Sequence, residues 1–516
     1  MSSKIKKIFS KRDYFFIFAW FLISFLFFLA VHINLEGFFG SDPYYHATHS
    51  VFYQDKLYYT QNWIKLHFFS SDYTVDPYFL FHKMGGEFIA LFGKELGFKI
   101  LGSLMSAVIV SSFYFLLRVN KIKRPHVWTI LFLLSSSLFL SRLFLIRSFL
   151  LAIPLILFSY YLMKEKRWWL LIILSAFYSL YYTLGVFTIP VAASFLVSSM
   201  IKNTRINWKP LLYSFVGVSV GITLHPKSLN YLHQIYVQII EIFYLKLSGI
   251  QLPTGSEINL NSFFELITKN YFSLAIFMVA TAVFMGAYNH QKLKKFLPLF
   301  LISCGWFIVM MFIPRAIEYW HPFAVFFSAS IFSEVKLDHL NTKKIKYKKI
   351  IKGSVIGLLS VLLLLNGTLT VDKILANDKD RLDQIRQTSL FLKEKSKKDE
   401  VVFFSNWSYF PEFFYFNQKN RYITGFDPVF AYNYNKNKYQ LWFNLSKKSL
   451  PCPKNNLCIQ QDMKTYLKRI ERSFKSLGVD YIVLNNTQDK LLLKALNKHK
   501  KIHEIFKNEE FTIFKI

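Results

Sequence analysis

An aspartate and two histidines stand among aromatic residues in the stretch GFFGSDPYYHATHSVFY, residues 37–53. Asp42 and His46 are four residues apart, so on a helix they share one face, one turn from each other. A carboxylate and an imidazole in this arrangement can bind a metal ion or a hydroxyl group, and the carboxylate can raise the nucleophilicity of that hydroxyl. Two structural roles are equally open to these residues: Ser41 or Asp42 caps a helix with Pro43 in its first turn, or the aromatic residues simply pack at an interface.

Three arginines stand next to apolar segments: Arg142 and Arg147 in SRLFLIR, and Arg315 in PRAIEYW. An arginine in the hydrocarbon core costs roughly 2.5–3.5 kcal/mol unless its side chain faces a cavity or an anion. Arg315 is therefore a candidate for stabilising negative charge, and snorkelling to the membrane interface is the alternative. Arg142 and Arg147 are candidates for phosphate contacts or for anchoring at lipid headgroups.

The composition indicates a membrane protein. The chain has 516 residues, of which 53% are hydrophobic and 19% aromatic, so it is too apolar for an ordinary soluble enzyme. Its formal charge of +32 lies largely in short Lys and Arg clusters between apolar runs, which is typical of cytoplasmic loops and a solvated domain surface. Nucleic acid is not an expected partner, because the sequence has no zinc-finger spacing, aromatic RNA-binding motif or basic recognition helix.

About eleven apolar segments have approximately the length that a bilayer requires. They are residues 14–31, 98–117, 126–140, 148–163, 168–182, 185–201, 211–224, 271–288, 296–313, 317–333 and 352–371. The basic leader MSSKIKKIFSKR places the N-terminus in the cytoplasm, and an odd number of spans places the C-terminus outside. Long loops at residues 34–85 and 225–270 are expected on that outer side. We expect an integral protein of the cell membrane.

The C-terminal region changes character after a transmembrane domain of residues 1–371. The short β-type runs VVFFSNW, NRYITGF, DYIVLNN and FTIFKI alternate with helical stretches, which predicts an extracytoplasmic α/β domain in residues 372–516. Cys452 and Cys458 are close enough in sequence to form a disulfide, and an oxidising compartment favours that bridge. Cys304 lies within a span, where core packing explains it most simply.

Four pieces of the sequence, in this order, resemble the catalytic subunits of oligosaccharyltransferases, members of the C-type glycosyltransferase (GT-C) superfamily. The pieces are GSDPYYHATH, TGSE, PRAIEYWHPFAVFFSA and VVFFSNWSYFPEFFYFNQKNRYITGFDP. The resemblance implies a polytopic α-helical GT-C-like fold and a donor linked to polyprenyl phosphate. It also implies a catalytic, metal-binding Asp42, a Glu257 that orients the acceptor, an Arg315 that meets the donor phosphates, and a divalent cation such as Mg²⁺ or Mn²⁺.

The sequence departs from the family pattern at two places. NWSYF, residues 406–410, stands where the family has WWDYG, so Ser408 replaces the aspartate that would accept a hydrogen bond from a sequon hydroxyl. SRLFLIR stands where the family has its second acidic metal motif, yet it contains neither Asp nor Glu. Trp407 and Tyr409 suit stacking against a sugar, and they suit a domain core equally well.

We expect a membrane glycosyltransferase that moves a sugar or glycan from a polyprenyl-phosphate or -pyrophosphate carrier to an acceptor of unknown kind on the outer face. Asp42 and Glu257 are the expected catalytic residues, and Asp42 with His46 the expected metal ligands. A transporter or flippase for lipid-linked glycans is an alternative, although the sequence shows neither broken helices nor inverted repeats. A non-catalytic protein that binds lipid-linked glycans is another, and the missing acidic residues favour it.

Overall fold

The computed structural model describes residues 10–55, 65–70, 75–253, 255, 263–288, 291–335, 348–376, 379–448 and 463–516. Glu257, Cys452 and Cys458 lie outside the described residues, so their predicted roles stay predictions. The chain divides into two compact units. The helical unit comprises Met1–Leu35, Leu96–Pro226 and Ser256–Asn377, and the sheet unit comprises Glu36–Glu95, Lys227–Gly255 and Asp378–Ile516.

Helices account for most of the described chain. Those before residue 226 are α1 (Lys11–Asn34), α2 (Asp42–Val51), α3 (Phe79–Phe92), α4 (Lys94–Val119), α5 (Pro125–Leu134), α6 (Ser137–Leu143), α7 (Phe149–Lys164), α8 (Trp168–Tyr181), α9 (Thr188–Ile201) and α10 (Lys209–Thr223). Those after it are α11 (Ser228–Tyr236), α12 (Ile242–Leu247), α13 (Phe263–Gly286), α14 (Gln291–Lys294), α15 (Leu297–Phe312), α16 (Ile317–Glu334), α17 (Lys348–Leu375), α18 (Lys379–Lys395), α19 (Phe410–Phe416), α20 (Pro428–Tyr434), α21 (Lys436–Lys448), α22 (Met463–Ser476) and α23 (Lys490–Leu496).

The helical unit contains the apolar helices, and they coincide with the apolar segments predicted from the sequence. Within the described residues, five helical stretches are long and apolar enough to cross a membrane, and a bent pair of helices makes six. Helices α7, α8 and α15 are apolar but shorter. The fold is therefore that of a helical protein with several membrane-compatible helices, and the count of about eleven spans stays a prediction.

One predicted span is broken in the structure. The segment 126–140 was expected to be continuous, but α5 and α6 meet there at an angle of 87°. The break falls at Ser135 and Ser136, and the Ser136 hydroxyl accepts a hydrogen bond of 2.9 Å from the backbone N–H of Phe139, so that it caps α6. The same hydroxyl donates to Asn270 of α13. This segment is therefore two helices joined at a sharp bend, where the sequence had predicted one continuous helix.

The sheet unit is built around a five-stranded mixed sheet. Its strands are β1 (Val401–Phe404), β2 (Arg421–Tyr422), β3 (Tyr481–Asn485), β4 (His503–Lys507) and β5 (Phe511–Lys515). The spatial order is β2-β1-β3-β5-β4, with β1 parallel to β2 and β3, and β5 antiparallel to β3 and β4. The predicted C-terminal α/β fold is present, and β4 is a strand that the sequence pattern did not predict.

Both faces of the sheet are buried. Val401 and Phe403 contribute to one hydrophobic cluster, and Val402 and Phe404 contribute to the other. This two-residue period is the one that a strand covered on both faces requires. The first long loop joins the sheet edge, because Leu66 forms a parallel bridge with Tyr422. The sheet unit therefore includes part of both predicted outer loops, while the domain boundary at residue 371 stays a prediction.

Candidate functional site

A buried carboxylate joins two of the predicted arginines in the helical unit. Glu318, in the first turn of α16, accepts a hydrogen bond of 2.8 Å from Nε of Arg142, at the end of α6, and a second one from its terminal nitrogen. Nε of Arg315 lies 3.8 Å from the same Glu318 oxygen, and its terminal nitrogen donates to the Tyr182 hydroxyl at 2.8 Å. The three charged side chains form what we call the Arg–Glu–Arg cluster.

The two arginines of the Arg–Glu–Arg cluster differ in burial. The side chains of Glu318 and Arg142 are 0% and 7% exposed, whereas that of Arg315 is 21% exposed. Arg142 is therefore committed to the ion pair, and Arg315 is the guanidinium that a ligand can reach. A half-buried guanidinium of this kind suits an anion such as a phosphate, because a low-dielectric setting strengthens the charge interaction.

Arg147, the other arginine of SRLFLIR, lies near the ring of Phe149. Its side chain is half-buried, and its guanidinium lies 5.9 Å from the centre of the Phe149 ring. The Arg142 guanidinium lies 4.7 Å from the centre of the same ring. Both predicted roles of Arg147, phosphate contact and anchoring, stay predictions.

Asp42 is the first residue of α2 in the sheet unit. Ser41 occupies the N-cap position but makes no side-chain capping hydrogen bond, and Pro43 lies in the first turn. A carboxylate at this position interacts favourably with the positive end of the helix dipole. Asp42 is half-buried, whereas the eight residues that follow it, Pro43 to Ser50, are buried. Since the Ser41 hydroxyl does not cap α2, helix capping by Ser41 does not account for the SDP sequence. Asp42 is the polar side chain of α2 that remains partly exposed.

A second ion pair braces α2. Glu412 in α19 accepts two hydrogen bonds, of 2.9 and 2.7 Å, from the fork of Arg381 in α18. Burial raises the pKa of Glu412, Arg381 opposes that rise, and the negative charge of Asp42 adds to it. Asp42 and Glu412 are thus close enough to interact electrostatically. Helix α19 packs on α2, so the Arg381–Glu412 pair helps to fix the helix that carries Asp42.

His46 belongs to a buried group of histidines. Its Nδ1 lies 2.8 Å from Nε2 of His82, whose Nδ1 lies 2.6 Å from Oδ2 of Asp76. The Tyr53 hydroxyl donates to the same Asp76 oxygen at 2.6 Å. Nε2 of His49 is 3.4 Å from it. All of these residues are buried, and they belong to α2, α3 and the turns beside them.

The charge state of this histidine group follows from its contacts. Burial alone would raise the pKa of Asp76, but His82, His49 and the Tyr53 hydroxyl stabilise its anion and hold its pKa well below the usual value. Burial lowers the pKa of His49 well below its usual value, because the buried site disfavours the charged imidazolium. Asp76 also forms a turn at Pro77, because Oδ1 accepts a hydrogen bond from the Tyr78 N–H at 3.0 Å.

The residues that the structure describes do not bring three potential metal ligands together at Asp42. These hard cations take several oxygen ligands. Among the described residues, the three side chains placed to share one ion are His49, Asp76 and His82, and Asp42 is not one of them. The segment SRLFLIR adds no acid. The metal-binding roles of Asp42 and His46 therefore stay predictions, and no reaction step is derived through that ion.

The aromatic residues of the NWSYF segment are packed into the sheet unit. Nε1 of Trp407 donates to the carbonyl oxygen of Pro253 at 2.7 Å, and Trp407 is half-buried. Tyr409 is 5% exposed and its ring meets that of Phe511 edge-on at 5.3 Å. This hydrogen bond holds Pro253 next to the NWSYF segment. Pro253 directly precedes the TGSE motif, of which the structure describes only Gly255. Sugar stacking by Trp407 and Tyr409 stays a prediction, since packing alone accounts for their burial.

The comparisons with known proteins agree with this architecture. No protein-family model and no curated protein sequence matches the chain. The archaeal oligosaccharyltransferase AglB from Archaeoglobus fulgidus, in complex with an inhibitory peptide and a dolichol-phosphate, aligns with a TM-score of 0.56 at 12% identity, over 92% of this chain and 70% of that chain. The Archaeoglobus fulgidus oligosaccharyltransferase in complex with Zn and sulfate aligns with a TM-score of 0.54 at 12% identity, over 90% and 68%.

A second kind of solved structure covers nearly the whole of both chains. ArnT from Cupriavidus metallidurans in the apo state aligns with a TM-score of 0.57 at 10% identity, over 96% of each chain. Identities this low establish a shared fold and leave the chemistry to the site. The chain has the oligosaccharyltransferase-like GT-C fold that its sequence motifs predicted.

Proposed function

We propose that the protein is a membrane glycosyltransferase that moves a sugar or glycan from a polyprenyl-phosphate or -pyrophosphate carrier to an acceptor on the outer face of the cell membrane. The N-terminus is then cytoplasmic and the α/β domain extracytoplasmic. The observation that carries the proposal is the Arg–Glu–Arg cluster, in which two guanidiniums and one carboxylate meet inside an apolar helical unit. A guanidinium inside an apolar unit favours an anionic ligand, and a lipid phosphate is an anion that a membrane supplies.

Arg315 is the donor-binding residue in this proposal. Its guanidinium is the more exposed of the two, and Glu318 and the Tyr182 hydroxyl hold it in place. During transfer the bond between the sugar and the phosphate oxygen breaks, and negative charge grows on the departing phosphate. A preorganised guanidinium stabilises that charge without reorganising, which lowers the barrier.

Asp42 is the residue that activates the acceptor. It is an accessible carboxylate at the start of a helix whose other residues are mostly buried, and the Arg381–Glu412 pair braces that helix. A fixed carboxylate can accept the acceptor's proton or its hydrogen bond as the new glycosidic bond forms. Glu257 stays the candidate for orienting the acceptor.

The fold likeness supports the reaction class. AglB is an oligosaccharyltransferase described with a dolichol-phosphate and an inhibitory peptide, so its fold accommodates a lipid phosphate. For this chain the acceptor is a glycan, a lipid or a protein. Ser408 occupies the WWDYG aspartate position, which makes an Asn-x-Ser/Thr sequon the least supported of these acceptors.

The test is turnover of polyprenyl-linked sugars by the purified protein in detergent, with Asp42→Asn and Arg315→Ala as the variants. Asp42→Asn should lower kcat by at least about a hundredfold with little change in donor binding, as expected for loss of general base catalysis. Arg315→Ala should weaken binding of the polyprenyl phosphate itself. Asp55→Asn and Arg167→Ala change exposed residues of the same units and should leave both quantities unchanged. Full turnover by Asp42→Asn would refute its role.

One observation favours a second function. SRLFLIR contains no acid at the place of the family's second metal motif, which is consistent with a protein that binds lipid-linked glycans without transferring them. Donor binding that depends on Arg315, with no turnover for any of the three acceptor classes, would replace the first proposal by this one.

A further inference from the structure

Three potential metal ligands converge in the interior of the sheet unit. The side chains are His49 in α2, Asp76 in the turn before α3, and His82 in α3, and one ligand atom of each lies within 4.8 Å of the others. His49, Asp76 and His82 are all 0% exposed. The rings of His49 and His82 stack with centroids 4.0 Å apart, which two imidazolium cations would resist, so at least one ring is in the neutral, metal-binding form.

We propose that His49, Asp76 and His82 form a binding site for a divalent transition-metal ion of the zinc type. Two imidazole nitrogens and one carboxylate oxygen are a ligand set that Zn²⁺ and its neighbours in the first transition row prefer, whereas Mg²⁺ and Ca²⁺ prefer oxygen ligands alone. A fourth position is left to water. The site is separate from the expected Mg²⁺ or Mn²⁺ site at Asp42, and it does not depend on the proposed glycosyl transfer.

The strongest support comes from the atoms that do not face the ion. A histidine that binds a metal through one nitrogen normally donates its other N–H to a protein acceptor, which fixes the ring and its tautomer. His82 offers Nδ1 to the ion, and its Nε2 lies 2.8 Å from Nδ1 of His46. His49 offers Nε2, and its Nδ1 lies 2.8 Å from the Tyr45 hydroxyl.

The carboxylate is supported in the same way. Asp76 offers Oδ2, while its Oδ1 accepts the backbone N–H of Tyr78 at 3.0 Å. All three ligand residues thus have an outer partner on the side away from the ion, an arrangement typical of metal sites. His46 becomes the outer partner of His82, which explains why the DPYYHATH helix carries histidines at both positions.

The distances also show what binding must change. Ligand atoms about 2.0–2.1 Å from a tetrahedral ion are roughly 3.3 Å from each other. The 3.4 Å between His49 Nε2 and Asp76 Oδ2 matches that value. The 2.6 Å between His82 Nδ1 and the same oxygen is a hydrogen bond through a shared proton. Binding therefore releases this proton to solvent and moves the two atoms apart by less than about 1 Å, so that metal affinity should fall with falling pH.

The proposed ion would join α2 to α3 and so help to position the helix that begins at Asp42. A buried aspartate carries a negative charge, and a divalent ion neutralises it more fully than one shared proton does. Because such an ion binds the folded form only, it should raise the melting temperature of the protein.

The test uses the full-length protein in detergent after removal of any polyhistidine tag. The protein is stripped with chelator, dialysed against Zn²⁺ and then against metal-free buffer, and its zinc is measured by mass spectrometry. We expect about one zinc ion per chain and a higher melting temperature with zinc than without it. Replacement by Co²⁺ should give the visible absorption bands of a four- or five-coordinate site.

His49→Gln and His82→Gln should each lower the zinc content by at least about tenfold, because each removes one of three protein ligands. His67→Gln, at a half-buried histidine of the same unit, is the matched control and should retain the zinc. A wild-type protein that keeps less than about 0.1 zinc per chain would overturn the proposal. The three residues would then form a hydrogen-bonded group in which Asp76 and His82 share a proton. Equal zinc content in the wild-type and His49→Gln proteins would overturn it as well. The wild-type measurement decides even if a variant fails to fold.

Discussion

Replacement of Glu318 by glutamine tests the Arg–Glu–Arg cluster most directly. The change removes the carboxylate that faces both Arg142 and Arg315 while it preserves the size of the side chain. Removing one partner of a buried ion pair costs about 3–5 kcal/mol, because the other charge is left without compensation. Glu318 and Arg142 are almost completely buried, so solvent screening reduces this cost little.

The expected loss lies at the lower end of that range. Glutamine still offers an oxygen to Arg142, and the contact of Arg315 at 3.8 Å is longer than a hydrogen bond. We therefore expect Glu318→Gln to lower the free energy of unfolding by about 3 kcal/mol. The measurement is denaturant-induced unfolding of the purified protein in detergent, followed by circular dichroism.

A double-mutant cycle and a surface control complete the experiment. Arg142→Met together with Glu318→Leu should be more stable than either single variant, because no charge is then buried without its partner. Glu265→Gln breaks the exposed pair with Lys269 on α13, whose side chains are 44% and 43% exposed, and should cost less than about 0.5 kcal/mol. An effect of Glu318→Gln as small as that control, or strict additivity in the cycle, would refute the coupling between Arg142 and Glu318.

Three further predictions concern the sheet unit. In metal-free protein, the lowered pKa of His49 means that the unfolded form binds a proton that the folded form does not, so stability should fall by up to about 1.4 kcal/mol per pH unit below about pH 6.5. Melting temperatures measured across pH 5–7 should depend less steeply on pH in His49→Gln than in the wild type. In His67→Gln the slope should change less, because burial lowers the pKa of His67 by less than that of His49. Arg381→Met leaves Glu412 buried without the guanidinium that donates to both of its oxygens. The free energy of unfolding, measured by chemical denaturation, should fall by about 3 kcal/mol. A fall of less than about 1 kcal/mol would contradict the stabilising role of this pair. Trp407→Phe removes the hydrogen bond to Pro253 and should lower the free energy of unfolding by about 1 kcal/mol. An unchanged denaturation midpoint would mean that water takes the place of the lost indole N–H.

Local patterns were sufficient for much of the fold. The apolar runs that predicted spans became helices, because a segment that buries its backbone in lipid must satisfy its own hydrogen bonds. The runs VVFFSNW, NRYITGF, DYIVLNN and FTIFKI became β1, β2, β3 and β5. Strand β4 was missed because HEIFK is mostly exposed or half-buried, so that it lacks the apolar signal of its neighbours. The break between α5 and α6 was missed, and the Ser136 hydroxyl at the break donates to Asn270, a residue far along the chain that no local pattern connects with it.

The sites were harder to predict than the fold, because their partners are distant in sequence. Arg142 and Glu318 are 176 residues apart, and no local period links them. The position of Asp42 at the start of a helix was predicted, since it follows from neighbouring residues. The histidine group required knowledge of how α3 packs on α2, so His82 had no visible role in the sequence, although the spacing of His46 and His49 in DPYYHATH was an available signal.

The role of Glu318 could have been predicted from the energetic cost of placing a charged side chain in the membrane. An ionisable residue within an apolar segment is expensive, and it is tolerated when it pairs with an opposite charge or lines a cavity. Glu318 lies three residues after Arg315, a spacing at which the two face each other on a helix. Arg142 is the more buried of the two arginines and makes the closer contact with Glu318, so Arg315 is the guanidinium that a ligand can reach more readily. This greater exposure is the reason to look for an anionic ligand at Arg315, and Arg315→Ala is the variant in which that ligand should be lost.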